Sequence, residues 1–144
     1  MSAADKQPRT GGAGNGHAHC LMCGARNPFS LGLHFHDGEE GSVWSRFKAL
    51  PRFQGYEGIL HGGVISALLD AAMTHCLFHQ GVRAVTGDLR VRFLEPVQCD
   101  TVLHVRAWLL SVTPPLYRVA AILVHGQRVM AKAEAKFMHY PADR

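Results

Sequence analysis

One stretch of this chain, residues 61–80, has the length and apolar content of a buried helix, while the chain beyond it repeats with the period of a strand. A lone helix has no other helix to pack against, so a sheet must bury it. At about 100° per residue, Ile65, Leu68, Leu69, Ala72 and Cys76 share one helix face, and Gly81 is the stop. In Ala84 to Leu94, Val85, Leu89, Val91 and Phe93 fall on one face, with Thr86, Asp88, Arg90 and Arg92 on the other. Asp100 to Val112 and Leu116 to His125 are apolar on both faces, which predicts central strands covered on both sides, with a turn at Pro114-Pro115. Arg128 to His139 alternates again, Val129, Ala131, Ala133, Ala135 and Phe137 opposing Arg128, Met130, Lys132, Glu134 and Lys136. Upstream, Leu31, Leu33 and Phe35 alternate with Gly32, His34 and His36, which predicts a strand over Leu31 to His36 closed by an Asp37-Gly38 turn; Val43 to Ala49 predicts a second. The expected fold is α+β, an antiparallel sheet of about six strands wrapped around one long helix, with the small alanines of the last strand making room for it.

Residues 1–18 are rich in glycine, alanine and polar side chains without an apolar period and read as a disordered tail; residues 19–144 read as a single domain. No apolar run approaches the roughly 20 residues of a membrane span and the N-terminus has no signal-peptide pattern, so the expectation is a soluble, cytoplasmic protein with no membrane partner. Four scattered cysteines do not form a disulfide framework, which fits a reducing compartment. A net charge of +4 suits a small phosphate-bearing ligand, yet no Lys/Arg run is dense enough for nucleic acid.

The chemistry concentrates where the loop Gly58-Ile59-Leu60-His61-Gly62-Gly63 enters the helix. Glycines let a ligand approach the backbone, and the first-turn amides, with the positive end of the helix dipole behind them, favour an anion. Asp70 is the only acid in an otherwise small or apolar run, on the flank beside Ser66 and Thr74. The plain reading is a solvated carboxylate and a tight turn. His17, His19, Cys20 and Cys23 place four potential metal ligands within seven residues, but the spacing is cramped for one tetrahedral ion and no second half completes it; the expectation is a turn with two small thiols and no metal. His75 and His79 are spaced i, i+4 without a third ligand and read as last-turn histidines placed for the helix dipole.

His61-Gly62-Gly63, Leu68-Leu69-Asp70, Val85-Thr86 and Arg92-Phe93-Leu94-Glu95-Pro96-Val97 together resemble the hotdog-fold acyl-CoA thioesterases of the phenylacetate-degradation type. Cys20-Leu21-Met22-Cys23-Gly24, with Asn27-Pro28 and Leu31, is similar to the opening of one branch of that superfamily, so the resemblance covers about Cys20 to Tyr140. It implies a hotdog fold hydrolysing an acyl-CoA to free acid and coenzyme A, without a cofactor. The Gly62 amide, helped by Gly63, would hold the oxyanion; Asp70 would act as general base or as nucleophile; Thr86 would orient water; His61 would shape the loop or touch ligand.

Two departures accompany it. Many relatives carry a glutamate after the helix aspartate, where this chain has Ala71, and Gln54 lies near the position of an upstream amide that holds water or carbonyl. The histidine-centred pattern of the dehydratases is absent. Arg90 and Arg92 form a row suited to coenzyme A phosphates, against a plain solvated strand face. Phe53, Tyr56, Met73 and Phe78 are candidates to shape the acyl pocket. The other class of function open to such a fold is a non-catalytic acyl-CoA sensor. Strands apolar on both faces, with one helix to cover one face, predict a homodimer or dimer of dimers with active sites at the subunit interface.

Overall fold

The computed structural model describes residues 16–140; the expected disordered tail, but for residues 16–18, lies outside the described residues. The strands are β1 (His36–Asp37), β2 (Val43–Lys48), β3 (Ala84–Phe93), β4 (Val102–Thr113), β5 (Leu116–His125) and β6 (Arg128–His139), with one helix, α1 (Gly62–Phe78), between β2 and β3. They form one antiparallel sheet in the order β1-β2-β4-β5-β6-β3. The α+β hotdog expectation is met: α1 lies across the concave face and touches β2 to β6.

The core is the meeting of two periodicities. Leu68, Leu69, Ala72, Met73 and Cys76 of α1 are fully buried against Leu103, Val105, Ala107, Val119, Ala121 and Leu123 of β4 and β5. Ala131, Ala133 and Ala135 line β6 where α1 comes near, and Phe137 closes the end of that row. Each fully buried leucine stabilises the fold by about 2 kcal/mol. The helix is apolar nearly all round because loops and strands cover its flanks as well, Ala71, His75 and Leu77 also being buried.

Three expectations are corrected. The alternation over Leu31 to His36 marks extended chain, but the amides of Leu31 and Leu33 donate to the carbonyls of Leu21 and Met22, so the ladder begins only at His36. A bulge at Gly87 breaks the strict alternation of β3. Thr86 therefore pairs with inward Phe137 and joins Leu89, Val91 and Phe93 on the helix side, while Val85 turns outward with Asp88, Arg90 and Arg92. Finally, Met130 of β6 is buried rather than facing out with Arg128 and Lys132, because β6 shifts register against β5 there; the outer face of β4 and β5, opposite α1, carries exposed Arg106 and part-exposed Trp108 and Ile122.

Candidate active site

The N-terminus of α1 is built by a braced loop. Gln54 Oε1 accepts the Gly58 amide at 3.0 Å, Gln54 and Leu60 form a bridge, and Gly58 sits at φ 78°, a backbone region that favours glycine. His61 is the N-cap: its Nδ1 accepts the Gly63 amide at 2.8 Å, and its carbonyl accepts the amides of Val64 and Ile65. Accepting at Nδ1 puts the neutral ring's proton on Nε2. A Cβ on Gly63 would stand 2.9 Å from that Nδ1, so a side chain there would displace the cap. The Gly62 amide donates no hydrogen bond among the described residues, which leaves it as the first-turn donor facing outward. The expected pair of amides thus divides, Gly63 holding the cap and Gly62 remaining available.

Two turns on, Asp70 stands half-buried on the flank of α1, and Thr86 Oγ1 donates to its Oδ1 at 2.5 Å. The bulge at Gly87 creates this contact by turning Thr86 inward. Burial pushes the Asp70 carboxyl above its ordinary value of 3.8, while the Thr86 hydrogen bond and nearby His17 pull in the opposite direction. A partly desolvated carboxylate, oriented by one hydroxyl, has the proton affinity of a better base than a surface aspartate.

Arg90 and Arg92 are not brought to this cluster. They point from the outer face of β3 and share an open groove there with Lys132 and Trp108. Of the pocket candidates, Met73 is buried in the core, Tyr56 is 87% exposed, Phe53 packs its ring against Phe47 and Phe78 packs against His75 and His17. His75 departs from its expected dipole role. Its ring stacks on Phe35 at 4.4 Å in the core, and burial, with His17 and His79 nearby, pushes its pKa down to about 3, so it is neutral. His79 Nδ1 pairs with Asp37 Oδ1 at 2.5 Å. His17, Cys20 and Cys23 do come together, whereas His19 stands outside the group. A tight turn brings the three ligand atoms within 4.8 Å of one another.

Residues 57–121, which contain the loop, the helix and β3, match the family model described as Thioesterase superfamily. The chain is 29% identical over 75 residues to the acyl-coenzyme A thioesterase THEM4 of Bos taurus, a stretch that is 52% of this chain and 30% of that protein. It thus spans less than a third of that curated relative's length. Among solved structures, a phenylacetic acid degradation-related protein of Ralstonia eutropha is 27% identical at a TM-score of 0.68, over 75% of this chain and 85% of that one. A Streptococcus mutans protein solved bound to acetyl CoA is 19% identical at a TM-score of 0.70, over 75% of this chain and 88% of that one. The resemblance read from the motifs is borne out, in sequence across the loop, helix and β3, and in fold across three quarters of the chain.

Proposed function

Taking the thioesterase superfamily as the family of this domain, we propose that the chain hydrolyses an acyl-coenzyme A thioester to the free acid and coenzyme A. The observation that carries this reading is the Thr86-held carboxylate of Asp70, half-buried and raised in pKa, on the same helix whose first amide at Gly62 has no hydrogen-bond partner among the described residues. Asp70 takes a proton from water as the water oxygen adds to the thioester carbon, or adds itself and is released from the anhydride by water. In either course the carbonyl oxygen gains charge against the Gly62 amide, and collapse breaks the carbon–sulfur bond. The departing thiol has a pKa near ~8.5, so its thiolate leaves without a strong acid.

One chain does not hold both groups at one reacting carbon. Gly62 and Asp70 are eight residues apart on α1, about 12 Å at 1.5 Å per residue, and the Gly62 amide points away from Asp70. A carbonyl oxygen about 3 Å from that amide is then out of reach of Asp70. The active site in this proposal therefore combines Asp70 and Thr86 of one chain with Gly62 of a second copy. β3 supports the pairing: it is an edge strand of ten residues, and Val85 and Phe93 on it are 48% and 53% exposed.

The test is release of free thiol, followed with a thiol reagent, from a panel of acyl-coenzyme A substrates by wild type and Asp70→Asn. Multiple turnovers are expected from wild type, with a loss of ~100-fold or more in kcat/KM in the variant. Retention of more than about a tenth of kcat/KM would remove Asp70 from the mechanism. Saturable binding without thiol release by wild type would make the domain a sensor.

A further inference from the structure

We propose that His17 Nδ1, Cys20 Sγ and Cys23 Sγ form a three-ligand zinc site whose fourth corner is taken by water or an incoming ligand. No step of the thioester chemistry passes through these residues, although His17 lies near enough to Asp70 to act on its charge, so the inference is tested by metal binding rather than by activity.

The local backbone builds the site. Cys20 donates its amide to the His17 carbonyl at 3.1 Å, and Gly24 donates to the Cys20 carbonyl at 2.8 Å, so two successive tight turns bring positions i, i+3 and i+6 to one point. All three ligand atoms lie within 4.8 Å of one another. The distance between His17 Nδ1 and Cys23 Sγ is 3.6 Å. A tetrahedral zinc with Zn–N of ~2.05 Å and Zn–S of ~2.3 Å sets its nitrogen and sulfur ligands about 3.6 Å apart, so this edge needs no rearrangement.

Two further features hold the cysteines in place. The Met22 amide donates to Cys20 Sγ at 3.3 Å and fixes that sulfur in the turn. Gly24 follows the second cysteine where a Cβ would lie 2.3 Å from the Cys20 nitrogen and 2.6 Å from the Ala18 oxygen, so the turn closes only around glycine. Packing holds the third ligand: the His17 ring meets Phe78 edge-on at 4.9 Å and His75 at 6.3 Å. Two thiolates and one imidazole are a donor set that selects zinc over harder divalent ions, and three protein ligands are the number found where a zinc keeps an open position. On binding, the two thiol protons go to solvent and the ion's charge is balanced by the two sulfurs. The ion would lock the 17–23 turn itself, which the amides of Leu31 and Leu33 tie to the extended chain leading to β1.

The experiment uses the full chain, reduced and stripped of metal with a chelator, titrated with Co2+ and then Zn2+. Expected are one Co2+ per chain, a sulfur-to-cobalt charge-transfer band with the intense visible bands of a tetrahedral ion, and their loss on adding one equivalent of Zn2+. Cys20→Ser and Cys23→Ser should each remove the charge-transfer band, and Cys99→Ser should leave it. Because the serine variants could fail to fold, the wild type is also alkylated with and without Zn2+ and mapped by mass spectrometry. Protection of Cys20 and Cys23 but not Cys99 supports the site. Equal alkylation with and without Zn2+, or no saturable cobalt band from a chain whose thiols are counted as reduced, overturns it: the 3.6 Å contact is then a thiol–imidazole hydrogen bond and no more.

Discussion

Mixing two inactive variants should restore about a quarter of wild-type activity if the length of α1 forces the site to be shared between two copies. The first variant is Asp70→Asn, which keeps the Gly62 amide. The second is Gly62→Pro, which keeps Asp70 and deletes one N–H. Proline is tolerated there because Gly62 is the first helical residue and His61 before it is extended, at φ −60° and ψ 131°. A Cβ at Gly62 meets only the Phe93 ring, at 3.6 Å. Alone, the proline variant should lose ~100-fold or more in kcat, the usual cost of one oxyanion donor. If Asp70 works with the Gly62 amide of a second copy, about 12 Å removed from its own, a mixed dimer holds one site with both groups intact and one with neither. Random exchange at equal concentrations makes about half the dimers mixed, each with one good site of two. Thiol release is measured before and after exchange, with exchange itself followed by energy transfer between labelled chains. Proven exchange with both variants folded and no recovery would refute the shared site.

Thr86→Val removes the hydrogen bond that favours ionised Asp70, so the acid limb of the kcat/KM profile should move to higher pH; an unmoved limb would mean that Asp70 is not the titrating group. His75 resists protonation until about pH 3 in the folded chain but accepts a proton near its ordinary 6.5 when unfolded, so between those values stability falls by about 1.4 kcal/mol for each unit of acidification; His75→Phe should flatten that slope in urea denaturation at pH 7 and pH 4.5. Arg90→Ala with Arg92→Ala should raise KM for acyl-coenzyme A at low salt and leave kcat nearly unchanged, whereas an unchanged KM would leave the outer face of β3 out of coenzyme binding.

What the sequence disclosed follows from where a simple period holds. The bounds of β5 and β6 are the expected ones because Pro114-Pro115 and Gly126 mark their turns, but a register shift opposite Leu123/Val124 breaks the alternation of β6 at Met130, which is buried instead of facing out with Arg128 and Lys132. The sequence pattern overextends β1 because Leu31, Leu33 and Phe35 alternate in any extended segment against a core, whereas a ladder needs a neighbouring strand, and here the partners are Leu21 and Met22. Strict alternation carried through Gly87 puts Thr86 on the wrong face of β3; a glycine inside a strand is a bulge signal, and here the bulge delivers the hydroxyl to Asp70. The division of labour between Gly62 and Gly63 was not readable, since it depends on the rotamer by which His61 turns its Nδ1 onto one amide.

Asp70 should cost the fold stability, and the sign of that cost tests the site from a direction that needs no substrate. Burial raises its pKa in the folded chain above the ordinary 3.8, so the unfolded chain gives up this proton more readily. A carboxyl of this kind contributes its stability below the unfolded value and loses it as pH rises through the folded one. At neutral pH the carboxylate therefore works against folding, with Thr86 offsetting part of the effect. Asp70→Asn keeps the shape and removes the charge, so its Tm should exceed that of wild type at pH 7, and the gap should close as the pH falls below the ordinary carboxylate range. An aspartate kept only for the fold would behave in the opposite way, the asparagine variant being the less stable at pH 7. A carboxylate that costs stability while held in place by a hydroxyl from the next strand is what a chemical task, rather than packing, would retain.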